Sequence, residues 1–139
     1  MKKTTINQFK EWLQNPEGLH LEFKEAKNSF SESKVHDYCA ALANEGGGRL
    51  ILGVSDERKI VGCKAFSGSV DQLSHGVLRS LGLRIDIEEL FVDNKRVLIF
   101  HVPSRPGGQI IASNGSYRYP MRVGSSLVEM LPEYMKAIF

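Results

Sequence analysis

The stretch that most constrains this chain runs from Cys39 to Gly62, CAALANEGGGRLILGVSDERKIVG. A helix of small residues ends at Asn44, three glycines (Gly46, Gly47, Gly48) follow, and an apolar run extends from Leu50 to Val54. Asn44 and the glycines reach positive φ at little steric cost, so the pattern predicts a helix end, a sharp bend and a strand. Because Leu50–Val54 does not alternate, that strand is expected to be covered on both faces. Asp56 would then stand where a buried strand emerges, a place where mixed α/β folds keep their chemistry. The plainer account of the glycines is a capped helix leading into a core strand, with no ligand involved.

The flanking sequence fills in the rest of a domain. Thr5 caps a short helix with Ile6, Phe9, Trp12 and Leu13 on one face, ended by Asn15, Pro16 and Gly18. In LHLEFKEAK, Leu19, Leu21 and Phe23 alternate with His20, Glu22 and Lys24, which predicts a half-buried strand with a polar row on its open face. Serines cap the next helix, whose apolar stripe is Val35, Tyr38, Cys39 and Leu42. After the central strand, Ile60 and Val61 are expected to return as a hairpin strand. A helix follows with Val70, Leu73, Val77, Leu78 and Leu81 on one stripe. Arg84–Val92 should pair with Arg96–Val102 across Asp93-Asn94-Lys95. A second hairpin is expected between Ile110–Ala112 and Tyr117–Val123, around Asn114-Gly115. Pro132 suits the first turn of a closing helix that runs to Phe139. The fold class expected is α+β: one domain over residues 1–139, with a mostly antiparallel or mixed sheet packed against several helices.

Composition narrows the function. A chain of 139 residues can bury about two-thirds of its unfolded surface. The formal net charge of +2 does not demand a nucleic-acid partner, so any basic patch must be local. Cys39 and Cys63 have neither metal-ligand spacing nor the numbers for a disulfide framework, which fits a reducing, cytoplasmic setting. No apolar run reaches membrane-spanning length, and the opening MKKTTINQFKEWLQ lacks a signal-peptide core, so no membrane partner is expected. GGGRL lacks the lysine and hydroxyl of a phosphate-binding loop, and His20, His36, His75 and His101 show no metalloprotease spacing.

Two groups of residues carry candidate chemistry. Glu17, Glu22 and Asp56 would repel one another if brought together, and a divalent cation is the usual relief. Mg²⁺ or Mn²⁺ held there would ionise a water for attack on a phosphodiester, with Lys24 neutralising charge on the phosphate. Surface carboxylates and Glu/Lys pairs on a strand face are also common without any metal. The second group lies in SYRYPMRVGSS. Arg118 and Arg122 would share one strand face and Tyr117 and Tyr119 the other, a composition suited to single-stranded nucleic acid. Gly124, Ser125 and Ser126 add backbone and hydroxyl donors. The alternative is two core tyrosines and two solvated arginines.

Taken in order, LEFKEAK, ALANEGGGRLILGVSD with IVG, and YRYPMRVGSS resemble the Schlafen AlbA-type domain, also called the divergent AAA or DNA-binding domain of bacterial regulator-like proteins. The resemblance runs from about Glu17 to Met130. It implies an α+β domain that works on nucleic acid, either in metal-dependent endoribonucleases cutting structured RNA such as tRNA, or as a non-catalytic DNA-binding module. Older labels for the family imply nucleotide (ATP) binding instead. In the nuclease branch, two glutamates five residues apart and an aspartate after the glycine-led strand form the metal site. Glu17, Glu22 and Asp56 match those positions, and Lys24 matches the lysine of the family's EFK. Those nucleases join two such domains into a clamp, which here implies a homodimer. The apolar end, Ile138 and Phe139, and the sheet edges are the surfaces expected to pair.

Overall fold

The computed structural model describes residues 3–15 and 20–139, so Pro16, Glu17, Gly18 and Leu19 lie outside the described residues. Alternation in LEFK yields β1 (Leu21–Lys24), and the glycine bend delivers the chain into β2 (Gly48–Leu52). These two strands are parallel, with Glu22 opposite Leu50 and Lys24 opposite Leu52. Parallel neighbours need a long crossover, which contains α2 (Glu32–Asn44). β3 (Asp86–Val92) and β4 (Lys95–Val102) form the predicted hairpin, and β4 lies antiparallel to β2. The sheet order is β1-β2-β4-β3, a mixed sheet with one parallel pair. Asp93 and Asn94 both take positive φ, +51° and +63°, the backbone that a two-residue hairpin turn demands.

The sheet is covered on both faces, as the unbroken apolar run requires. On one side Leu50, Leu52, Leu98 and Phe100 pack with α2 and with Leu73, Val77 and Leu81 of α3 (Val70–Leu81). On the other, Leu21, Phe23, Ile51, Val97 and Ile99 close on Phe9 of α1 (Ile6–Gln14). The capping box at Thr5 and Gln8 sets the start of α1. β5 (Pro120–Val123) and β6 (Ser126–Glu129) make a separate hairpin whose β5 packs on α2, and α4 (Pro132–Ile138) follows. Every residue of α2 from Val35 to Asn44 is therefore buried. At Cys39 this burial pushes the thiol up to about 12, so it is a core residue rather than a nucleophile.

Several expectations are corrected. Asn44 stays helical, and Gly46 and Gly47 take the positive φ instead (+110° and +96°). Gly48 serves close approach: a Cβ there would lie 2.6 Å from the His20 carbonyl oxygen. Val54 lies beyond β2, and the expected Ile60–Val61 strand is a single bridge from Val54 to Ile60. Ile6 and Leu78 are exposed, at the margins of their stripes. The second hairpin is displaced to β5–β6, and residues 110–119 carry no strand. Side chains of α2 explain that displacement. Asn44 Oδ1 accepts from Ile111 N (2.8 Å), and its Nδ2 donates to Ile111 O and Pro120 O. These bonds take the place of a strand partner.

One network fastens α1 to the sheet. Thr4 donates to Glu88 from both its backbone N and its hydroxyl (2.8 Å each), and His101 Nε2 lies 2.9 Å from Glu88 Oε1. Burial pushes the Glu88 carboxyl up, but the bonds from His101 and Thr4 outweigh it and hold the group below its ordinary value of 4.5. A carboxyl depressed on folding adds stability that is present above its ordinary value and is lost as pH falls through the folded value. Acid titration followed by circular dichroism should therefore show Glu88→Gln less stable than wild type at pH 7, with the difference closing below pH ~4.

Candidate nucleic-acid interface

Alternation along β1 turns Glu22 and Lys24 toward the α2 side of the sheet, where β5 covers the edge. Glu22 is fully buried. The Arg122 guanidinium meets it, Nη1 donating to Glu22 Oε1 (3.0 Å) and to the Leu21 carbonyl (2.8 Å). The other edge of Arg122 grips Glu45 in a fork, Nε to Oε2 at 2.7 Å and Nη2 to Oε1 at 3.0 Å. Lys24 Nζ lies 3.4 Å from Glu22 Oε2, which completes an alternating row of charges, Lys24, Glu22, Arg122 and Glu45. Burial works against the Arg122 cation, but its bonds to Glu45 and Glu22 raise its pKa above the ordinary arginine value. Lys24 follows the same pattern: burial opposes its charge, and the Tyr38 hydroxyl and Glu22 carboxylate raise it regardless.

Beyond Lys24 the surface opens into a cleft of about 530 Å³. Lys24, Lys34, Asp37 and Tyr38 form one wall, and Ser116, Tyr117, Ser125, Ser126 and Leu127 the other. Lys34 and Tyr38 are four residues apart and so share a helix face. The Lys24 ammonium sits 4.9 Å from the Tyr38 ring centre, and the Tyr38 hydroxyl donates to Ser125 O at 3.2 Å. Asp37 fastens the second wall. Its carboxylate accepts from Ser113 Oγ (2.7 Å), Ser116 N (3.0 Å) and Tyr117 N (3.4 Å). Gly115 is required there, since a Cβ would lie 2.5 Å from Asp37 Oδ1 and 2.6 Å from Ser33 O. His36 Nδ1 adds a bond to Asn114 Oδ1 at 2.8 Å. Two ammonium groups, two phenol rings and three serines thus line one concave surface. The lysines suit phosphates, the half-buried Tyr117 ring suits a base while the Tyr38 ring is buried beneath Lys24, and the hydroxyls suit sugar or phosphate oxygens.

Of the candidates named from sequence, Lys24, Tyr117, Ser125 and Ser126 meet in this cleft. Glu17 lies outside the described residues. Asp56 is exposed in the turn beyond β2, closed by Ser55 N to Lys59 O at 2.9 Å. The polar row on β1 is not an open face at Glu22, which already carries Arg122 and Lys24 as counter-ions. Among the described residues no group of three His, Cys, Asp or Glu is placed to hold a metal ion. A divalent cation at Glu22 would face two resident cations, so the described residues do not fit one. Arg122 is corrected from a surface phosphate ligand to an internal ion-pair residue, because two buried or half-buried carboxylates claim it. Arg118 is exposed, 5.4 Å from the Tyr119 ring centre, and Glu129 accepts from the backbone N of both residues. Tyr119 lines a separate cavity with Ile110, Met135 and Phe139, so the two tyrosines do not share a face. Lys34 and Asp37 escaped the sequence reading; the Lys34/Tyr38 spacing was the available signal.

Residues 17–131 match the family described as Schlafen, AlbA_2. Among solved structures, the DIP2311 protein from Corynebacterium diphtheriae is similar at 23% identity and a TM-score of 0.69. The match covers 96% of this chain but 32% of that one, so this chain spans about a third of that protein's length. The N-terminal domain of a RecG-related protein from Nitrosomonas europaea, named for an ATP-dependent DNA helicase, matches at 23% identity and a TM-score of 0.58. That match covers 94% of this chain and 95% of the domain. These two likenesses concern the fold, while the family match extends over most of the sequence. The chain belongs to the Schlafen AlbA_2 family.

Proposed function

We propose that this domain binds nucleic acid, with the Lys24–Lys34 cleft as its contact surface. The observation that carries the reading is the convergence of both lysines with Tyr38 and Tyr117 in a cleft whose far wall is clamped by Asp37. Family membership and the likeness to a protein named for a DNA helicase support it. The cleft suits an unpaired segment, such as a loop of a structured RNA, because stacking on tyrosine requires an exposed base face.

Photo-crosslinking of tRNA carrying 4-thiouridine tests the placement. Crosslinked peptides should contain Tyr117, and their yield should fall several-fold in Lys34→Ala. Crosslinks confined to peptides outside the cleft would overturn the assignment.

Metal-dependent endoribonuclease action is the finer form of the family reading, and the Arg122 and Lys24 counter-ions at Glu22 stand against a cation there. It requires Glu22 to loosen its present counter-ions. Cleavage of tRNA in Mg²⁺ or Mn²⁺ that is absent in EDTA and in Asp56→Ala would establish it. Cleavage that persists in EDTA would refute it, and no cleavage by wild type would leave binding as the function.

A further inference from the structure

The glycine bend borders a second cavity, of about 460 Å³, that nucleic-acid binding at the cleft does not use. It lies at the opposite end of β2 from the Asp56 turn, and its lining includes Arg49, Arg84, His20, His101 and one carboxylate, Asp86. Its volume falls in the range of small-ligand sites, about 300–1,000 Å³.

Arg49 is held in a fixed pose. Its guanidinium stacks 4.5 Å from the Trp12 ring centre, and its Nε donates to His101 Nδ1 at 3.3 Å. Since His101 Nδ1 accepts, its proton sits on Nε2 and is donated to Glu88, which Thr4 secures. Among the described residues, the terminal amino groups of Arg49 and the whole guanidinium of Arg84 have no hydrogen-bond or ion-pair partner. Packing over Trp12 alone would explain Arg49. It does not explain a second unpaired arginine on the same cavity.

We infer that this cavity is a binding site for a phosphate monoester. A monoester carries close to two negative charges at pH 7 and three terminal oxygens, which match two guanidinium forks. A chain diester carries one charge and has substituents on both sides. Asp86 opposes a phosphate in its immediate vicinity, and a sugar hydroxyl beside the phosphate would give it a donor. The shared chemistry has two sources, a free mononucleotide or the phosphorylated end of a strand.

Trp12 is the only tryptophan in the chain and touches Arg49, so its fluorescence reports on the site. Titration with 5′-AMP should give a saturable change in emission that NaCl at matched ionic strength does not reproduce. Arg84→Ala, a change at an exposed residue, should weaken the midpoint at least tenfold, while Lys34→Ala in the cleft should leave it unchanged. Arg49→Lys keeps the charge but loses the fork, and should also weaken binding. A short RNA bearing a 5′-phosphate that competes with 5′-AMP, where the unphosphorylated RNA does not, assigns the site to strand ends. Competition by neither RNA assigns it to the free nucleotide. A non-saturating response, or equal midpoints for wild type and Arg84→Ala, would overturn the inference. Loss of cleft binding in Lys34→Ala bears on the other proposal alone.

Discussion

Replacing Arg122 by alanine should destabilise the domain by about 3–5 kcal/mol, the cost of leaving a buried carboxylate without its partner. Glu22 is fully buried and Arg122 nearly so, and Arg122 also caps the Leu21 carbonyl and grips Glu45. With an unfolding entropy of roughly 2 cal/mol/K per residue, a loss of that size lowers the melting temperature by roughly 10–17 °C. Arg122→Ala/Glu22→Leu removes both charges and should recover a large part of the loss, since a buried pair adds little over an apolar substitute. Thermal unfolding of the three proteins checks both statements. A shift of less than about 3 °C in Arg122→Ala would mean that Glu22 finds water or another partner. Arg122→Ala is therefore a poor probe of phosphate contact, whatever its effect on nucleic-acid affinity.

Asp37→Ala should cost about 2–4 kcal/mol and act on the site as well as the fold. Three donors of the 113–117 loop lose their acceptor, and each unmet donor in a half-buried setting costs on the order of 1 kcal/mol or more. Freed from α2, the loop no longer holds Tyr117 against the cleft, so nucleic-acid affinity should fall with stability. Asp37→Asn keeps one acceptor oxygen and should lose less of both. Urea denaturation gives the stability, and hydrogen exchange at residues 113–117 should quicken in the alanine variant. Unchanged exchange there would contradict the clamp.

Local signals were legible where chemistry acts over a few residues. Thr5 ahead of α1, the serines ahead of α2, the Asp93-Asn94 turn and Pro132 each specify backbone on their own. The unbroken run from Leu50 correctly indicated a strand covered on both faces. What escaped was set by residues distant in sequence. Glu22 looked like half of an exposed strand pair because its partner Arg122 is 100 residues away. Asn114-Gly115 carried the stronger turn signal, but Asn44 and Asp37 capture the adjoining backbone, and the ladder forms instead around Gly124, whose φ is +63°. Lys24 was singled out from its strand position. The Lys34 side of the cleft needed the packing of α2 against β5 and the seating of Lys24 over Tyr38 to become visible.

The most direct test of the cleft is the salt dependence of RNA binding. Each lysine that neutralises a phosphate of an unpaired strand contributes about 0.7 to the slope of log K against log salt. Affinity for a tRNA, measured by fluorescence anisotropy across salt, should show a slope lower by about 1.4 in Lys24→Ala/Lys34→Ala than in wild type. Equal slopes for wild type and the double variant, with both proteins folded, would show that the cleft does not carry the phosphate contacts.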